Sequence, residues 1–307
     1  MSLFFFPGRL KRAVRAVAGR KSLLLSIALS LGFSYPLLAA ERKTTAPRLS
    51  AAQIVKKHVS ARGGLQAWRA VQTLSLSGKM DAGPGDSVAR SVRVARGPGA
   101  ATQKLRREIA AGAAHKQEAE KQVQLPFTLA KQRPNKSRLE IEFAGKTAVQ
   151  VYDGTNGWKL RPYLNRNDVD PFTPQEAKTE AENADMGDPL IDSAAKGTKV
   201  EVEGVEPVEG HDAYKLKLTM KGGLVQHIWV DAETFLEVKL EGTPRRMDGK
   251  MRPVSIYLRD YKAANGLMVP YVIETAVEGN KDTHKMFIEN VVVNPKLEDS
   301  LFTKPSL

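Results

Sequence analysis

Histidines are the residues with which this 307-residue chain could most readily bind a metal or transfer protons, because it has five of them and no cysteine. His115, His211, His227 and His284 lie far apart, and no H-E-x-x-H, G-x-S-x-G or glycine-rich phosphate-binding motif is present. His58 falls on the apolar face of a predicted helix with no second ligand nearby, so we interpret it as a packed core residue. We therefore expect no enzyme, no metal site and no cofactor. A hydrolase whose site is assembled from distant residues is the alternative that these spacings leave open.

The chemistry that the sequence does indicate is the solvation of apolar groups. Between Tyr214 and Met220, apolar side chains alternate with lysine and threonine, which is the period-two pattern of a half-buried antiparallel strand. Gly222-Gly223 and residues 231–234 supply turns to two further strands. The same alternation recurs along most of the chain and predicts about ten strands. We therefore expect an α+β fold built on a wide, curved antiparallel sheet with one apolar face.

Short helices are expected to cover that apolar face. Ser50 and Gln53 form a capping box ahead of the first helix, and Thr173-Pro174 begins a second helix in the same way. We interpret Asp188-Pro189 as the start of a third helix. If these helices pack loosely, the gap beneath them is a hydrocarbon-sized pocket, and if they pack tightly, the same residues form an ordinary core. Periodicity alone does not separate the two cases.

The candidate lipid-binding residues are the apolar side chains expected to face this cover. Their role would be to replace water around alkyl chains, at about 0.8 kcal/mol for each buried methylene group. The candidates in the strands are Leu76, Leu125, Phe127, Ile141, Phe143, Val151, Trp158, Leu216, Leu218, Ile228, Val230 and Ile256. The candidates in the helical lid are Leu190 and Ile191.

The first 40 residues have the features of a secretory signal peptide. They contain six basic and no acidic residues, an apolar run over residues 22–33 and small residues before a cleavage point at Ala40. The run is shorter than the roughly 20 apolar residues of a spanning helix, although an uncleaved membrane anchor is the alternative. An exported chain without cysteine has no disulfide framework and no cysteine to carry a lipid anchor. We expect cleavage of residues 1–40 and a periplasmic location.

Charge in the rest of the chain is moderate and scattered. The chain has 47 basic and 34 acidic residues, so 41 basic residues remain once the six in the signal are removed. Bases that do not cluster argue against a nucleic-acid partner. Residues 81–121 are rich in Gly, Ala, Lys and Arg, and we interpret them as an insertion or a long hairpin. This basic insertion could contact anionic lipid headgroups, or it could be a solvated loop.

Several short strings, and above all their order, resemble the LolA-like periplasmic lipoprotein carriers, the outer-membrane lipoprotein-sorting family. The strings are ARGGLQAW, LSLSGKM, YDGTNGW, VEGHDAYKLKL and VDAETFLEVKL. The resemblance implies a single domain over residues 41–307, in which an incomplete β-barrel closed by helices holds acyl chains in an apolar cavity. It also implies a monomer that binds lipid or lipoprotein acyl chains, with envelope membrane proteins as further partners.

The function that this resemblance implies is the transport or sorting of lipids or lipoproteins to the outer membrane, without catalysis. The same fold also serves envelope sensors, so a sensor or scaffold that binds a protein partner is the alternative. The long basic insertion departs from the smaller carriers of the family.

Overall fold

One antiparallel sheet dominates the computed structural model, which describes residues 48–81, 123–162, 167–183, 186–247 and 249–306. The predicted signal peptide and, apart from Asp81, the predicted basic insertion lie outside these residues. The strands are β1 (Thr73–Asp81), β2 (Gln124–Gln132), β3 (Lys136–Phe143), β4 (Lys146–Tyr152), β5 (Gly157–Leu160), β6 (Val169–Pro171), β7 (Lys199–Val208), β8 (His211–Thr219), β9 (Val225–Asp231), β10 (Glu237–Met247), β11 (Lys250–Ala264), β12 (Leu267–Val277) and β13 (His284–Val293).

The sheet is open and has β1 and β13 at its centre. Its strand order is β6-β5-β4-β3-β2-β1-β13-β12-β11-β10-β9-β8-β7, so β6 and β7 are the two edges. The predicted α+β class, with a large, curved, unclosed antiparallel sheet and few helices, is confirmed. The thirteen strands exceed the ten or so that we predicted, because strands such as β5 and β6, with four and three residues, are too short to show an alternating pattern.

Short helices accompany the sheet in the described ranges: α1 (Ala51–Ala61), α2 (Leu65–Ala70), α3 (Pro174–Asn183) and a 3-10 helix, η1 (Asp299–Phe302). Both predicted capping boxes are confirmed, since the amide of Gln53 donates to Ser50 Oγ at 3.3 Å and that of Glu176 to Thr173 Oγ1 at 3.2 Å. None of the helices that the structure describes has the length and apolar character needed to cross a membrane.

The third predicted helix is wrong. Residues 189–197 form successive turns, and we call residues 188–197 the lid turn. Asp192 has a φ of 58°, which is outside the right-handed helical region, so a regular helix cannot continue through it. The lid turn therefore presents Leu190 and Ile191 from an irregular segment.

One face of the sheet can be followed from strand to strand, because directly paired side chains project to the same side. Phe127 pairs with Ile141 on β3 and with Gly78 on β1, and Gly78 pairs with Ile288 on β13. In the other half of the sheet, the same face can be traced through directly paired residues and through residues two apart on one strand. In order, these are Met286, Ile273, Leu258, Ile256, Leu240, Ile228 and Leu216.

The helices α1, α2 and α3 lie on this face, which we call the helix-covered face. Ile54 of α1 packs against strand residues at the β8–β9 end. At the β3–β5 end, Glu180 of α3 accepts a hydrogen bond from Ser137 Oγ at 2.6 Å, and Glu176 contacts Lys159. The opposite face is covered in part by η1, whose Phe302 packs in a cluster with β2 and β4 residues.

Candidate functional site

Twelve of the fourteen candidate lipid-binding residues belong to the helix-covered face or to the lid turn that packs on it. The strand residues among them are Leu76, Leu125, Phe127, Ile141, Phe143, Leu216, Leu218, Ile228, Val230 and Ile256. The lid-turn residues are Leu190 and Ile191, which are buried against the same side.

At the β8–β9 end of this face, the helix and the lid turn pack directly on the strands. One buried cluster contains Ile54 of α1, Leu190 of the lid turn, and the strand residues Leu216, Leu218, Ile228 and Val230. Ile191 lies in a neighbouring cluster with Trp68 of α2, and Leu76 packs against it. These candidates therefore form a helix–sheet core of the ordinary kind.

The middle of the face is different, because its apolar neighbours come from the strands. Ile256 belongs to a buried cluster whose members, including those packed against it, all lie on β10, β11 and β12. On β2 and β3, Phe127 and Ile141 are buried and paired with each other, and Leu125 and Phe143 on either side are half-buried. We call these residues the central apolar surface, which consists of Leu125, Phe127, Ile141, Phe143, Leu240, Val254, Ile256, Leu258, Ile273 and Val277.

The remaining two candidates, Val151 and Trp158, lie on the opposite face. Val151 pairs with Arg138 and Arg138 with Ala130, whereas Phe127, an odd number of residues away on β2, projects to the helix-covered face. Val151 is buried with Phe302 of η1, and Trp158 packs against the same cluster. The structure therefore does not bring these two residues together with the other twelve.

Four ionisable side chains are buried between α1, the lid turn and β10, and we call His58, Arg62, Asp188 and Glu237 the ionic cluster. Arg62 is its centre: its Nη1 donates to Asp188 Oδ2 at 2.7 Å and to Glu237 Oε2 at 3.3 Å, and its Nε donates to the carbonyl of Met268 at 2.8 Å. One guanidinium thus joins a helix, a turn and two strands.

Aromatic rings flank this guanidinium. Arg62 Cζ lies 5.1 Å from the ring centroid of Trp68 and 5.5 Å from that of Tyr261, both within the range of a cation–π contact. The indole of Trp68 also donates to the Arg62 carbonyl at 2.9 Å. The orientation of Arg62 is therefore fixed by rings as well as by carboxylates.

His58 ties the lid turn to α1 a second time. Its Nε2 lies 3.1 Å from Asp188 Oδ2 and its Nδ1 lies 2.8 Å from the carbonyl of Phe235. Because both ring nitrogens face acceptors, the geometry favours the doubly protonated imidazolium. Asp188 in turn accepts from the amides of Leu190 and Ile191 through Oδ1, at 2.9 and 3.0 Å, so the charged contact and the two lid residues are held by one carboxylate.

The pKa values of the two carboxylates shift in opposite directions, although the same guanidinium lowers both. Burial on its own would raise the pKa of Asp188, but Arg62, His58 and the Ile191 amide lower it well below its ordinary value. Burial and the neighbouring Asp188 charge raise the pKa of Glu237 to about 7, against the attraction of His58 and Arg62. Glu237 has the longer contact with Arg62 and a second oxygen without a partner among the described residues, which explains the difference.

Three of these side chains have the donor types of a metal site. Ligand atoms of His58, Asp188 and Glu237 lie within 4.8 Å of one another. Arg62 Nη1, however, is within hydrogen-bonding distance of both carboxylates, so a guanidinium already supplies the positive charge at this point. The arrangement fits an ion-pair network and does not fit a resident metal ion.

The sequence prediction of a packed His58 is compatible with its full burial, but the ionic cluster itself was missed. The available signal was Arg62, which follows Ile54 and His58 at four-residue spacing and therefore continues the apolar stripe of α1. A basic residue on such a stripe needs a buried acid, and no local pattern indicated that the acids would be Asp188 and Glu237.

Comparison with known proteins places this chain beside LolA-like structures. No protein-family model and no curated protein matches the sequence. Among solved structures, a LolA superfamily protein from Nitrosomonas europaea is 15% identical with a TM-score of 0.49, over 84% of this chain and 99% of that one. The resemblance that the sequence strings indicated is thus shown as a likeness to solved structures.

Two further structures are similar to a comparable degree. An outer membrane lipoprotein-sorting protein domain from Vibrio parahaemolyticus is 11% identical with a TM-score of 0.48, over 83% of this chain and 96% of that one. A DUF1329 family protein from Desulfovibrio piger is 13% identical with a TM-score of 0.49, over 83% and 98%. With TM-scores below 0.5, these likenesses by themselves say nothing about what the present chain binds.

Proposed function

We propose that this protein binds the acyl chains of a lipid or lipoprotein on its central apolar surface and carries them through the periplasm. The observation that carries the proposal is the segregation of the helix-covered face into two parts. At the β8–β9 end, α1 and the lid turn complete a core, whereas in the middle the buried cluster of Val254, Ile256, Leu258 and Val277 has only strand residues among its described apolar members. The half-buried members of the central apolar surface, such as Leu125 and Phe143, can exchange water for alkyl chain, with a gain of about 0.8 kcal/mol for each methylene group.

The mode of action that we propose is binding without catalysis. Apart from Glu237 Oε1, the polar groups of the ionic cluster are occupied by their own ion pairs and hydrogen bonds, and the cluster joins the lid turn to α1. In this proposal the cluster keeps the cover in place, and the central apolar surface holds the chain. Export by a cleaved signal peptide and a monomeric state complete the proposal.

The experiment that tests this function compares a half-buried position with an exposed position on the opposite face. Leu125 lies on the central apolar surface, and Val292 on β13 pairs with Ser75 on the opposite face and is partly exposed. We expect the purified protein to bind a fluorescent fatty acid such as cis-parinaric acid. Leu125→Asn should reduce that binding several-fold, and Val292→Asn should leave it unchanged. Lipid extracted from the protein and identified by mass spectrometry would show the natural ligand class.

A protein that neither binds the probe nor yields extractable lipid would refute the proposal. If such a lipid-free protein instead co-purified with an envelope membrane protein, the sensor or scaffold alternative would replace it. Equal losses in Leu125→Asn and Val292→Asn would contradict the assignment of the binding face.

A further inference from the structure

Two buried polar groups at the border between the ionic cluster and the central apolar surface have no hydrogen-bond partner among the described residues. They are Glu237 Oε1 and the hydroxyl of Tyr261. Glu237 is only 2% exposed, so water does not solvate this oxygen from the protein surface. Buried donors and acceptors in native proteins are almost always paired, and an unpaired one requires a physical explanation.

Both groups are held by the same guanidinium. Arg62 Nη1 lies 3.3 Å from the other oxygen of Glu237, and Arg62 Cζ lies over the ring of Tyr261. Burial raises the pKa of the Tyr261 phenol well above its ordinary value, and the Glu237 and Asp188 carboxylates raise it further, against the lowering effect of Arg62. The phenol therefore keeps its proton and can donate a hydrogen bond at any physiological pH.

The apolar neighbours of the two residues belong to the central apolar surface. Tyr261 packs against the cluster of Val254, Ile256 and Leu258. Leu240, three residues after Glu237 on β10, packs against the same cluster. An alkyl chain that lies along β10–β12 would thus end beside one hydrogen-bond donor and one acceptor.

We propose that Glu237 and Tyr261 form a polar subsite that binds the amide group of an amide-linked acyl chain. This inference rests on the proposed function and names its ligand more closely. Tyr261 donates to the amide carbonyl, and Glu237 Oε1 accepts from the amide N–H. An ester-linked chain can accept a hydrogen bond from the Tyr261 hydroxyl, but it has no hydrogen to donate to the Glu237 carboxylate. This difference is the basis on which the subsite would select amides over esters.

The test uses two ligands of matched size, N-methyldodecanamide and methyl dodecanoate, to displace cis-parinaric acid at pH 8, where Glu237 is ionised. We expect the amide to displace the probe from the wild-type protein at a concentration about fivefold lower than the ester, the effect of one hydrogen bond. Tyr261→Phe, which removes only the hydroxyl, should weaken both ligands about fivefold. Tyr257→Phe is the matched control, because Tyr257 is on the same strand but pairs with Lys239 on the opposite face.

Each outcome decides one of the two proposals. If probe binding is normal but amide and ester displace it equally, the subsite is wrong and the acyl-binding function stands; Glu237 and Tyr261 then interact with structural water. If the amide is preferred, but Tyr261→Phe and Tyr257→Phe behave alike, the role of the Tyr261 hydroxyl is wrong. If Tyr261→Phe does not fold, the wild-type comparison of amide and ester still decides. A wild-type protein that binds no probe refutes the proposed function instead.

Discussion

Replacing Arg62 with methionine tests the role of the ionic cluster most directly. The substitution keeps the length and apolar stem of the side chain but removes the only cation that contacts both Asp188 and Glu237 among the described residues. Removing one partner of a buried ion pair costs about 3–5 kcal/mol, because it leaves an uncompensated buried charge. We expect the lower value, about 3 kcal/mol, because Asp188 keeps His58 and the amides of Leu190 and Ile191.

The assay is urea unfolding at pH 8 and pH 5, followed by tryptophan fluorescence. Trp68 lies against the Arg62 guanidinium, so its share of the emission from the three tryptophans reports on the cluster. The loss in Arg62→Met should be smaller at pH 5, because carboxylates without a cation bind protons more readily and then carry no buried charge. Arg69→Met is the matched control, since Arg69 makes a comparable pair with Asp192 but is about half exposed, and solvent screens that pair.

The reasoning would be refuted if Arg62→Met and Arg69→Met changed the unfolding midpoint equally. It would also be refuted if the loss in Arg62→Met were as large at pH 5 as at pH 8, since the cost would then not arise from unpaired carboxylates.

Two further predictions concern Glu237 and Gly78. A folded pKa of about 7 against the ordinary 4.5 means that Glu237 stabilises the fold most below pH 4.5 and loses that contribution as the pH rises through 7, by about 3 kcal/mol. Chemical unfolding from pH 5 to pH 8 should therefore show Glu237→Gln gaining stability relative to wild type by about that amount, and parallel curves would contradict the shifted pKa. At Gly78 a Cβ would overlap the carbonyl oxygen of Phe287, so Gly78→Ala should destabilise the protein by about 1–3 kcal/mol in urea unfolding. Gly222→Ala, where a Cβ meets open space, is the control, and equal effects at the two positions would show that steric overlap is not the cause.

The hairpins of the sheet could be predicted because their signals are local. The turn at Gly222-Gly223 is closed by the Gly223 amide, which donates to the Met220 carbonyl at 2.8 Å, and Asp231 Oδ1 accepts from the amides of the next turn. The lid turn could not be predicted, because its start at Asp188-Pro189 has the residues of a helix start and only the φ of Asp192 shows the break.

The sequence could not show which of the candidate residues project to which face of the sheet. On β4, Ala148 and Val149 are both buried although they point to opposite sides, so both faces of this strand are covered and the apolar Val149 and Val151 do not mark the helix-covered face. For that reason Val151 was grouped with Phe127, although the two project to opposite faces of the sheet.

Glu237 was missed for a different physical reason. In a regular strand Glu237 and Lys239 share one face, and both would be expected in solvent. A bulge between these two residues instead places Glu237 opposite Val230, on the helix-covered face, while Lys239 stays beside Trp229. Pairing registers of this kind depend on the partner strand and leave no mark in the local pattern.

The central position of β1 and β13 has a consequence for how the molecule is made. Every other pair of neighbouring strands is consecutive in the chain, so β1–β6 and β7–β13 are two meanders. Only the pairing that sets Leu74 against Val293 joins them, and it requires the two most distant strands in the chain to meet. Such non-local encounters are slow, because loop-closure entropy opposes them before any contact is gained. Until they meet, β1 is an unpaired edge strand with apolar side chains beside it, and such edges promote association with other chains. The β1–β13 pairing therefore governs both the rate of folding and the risk of aggregation during folding.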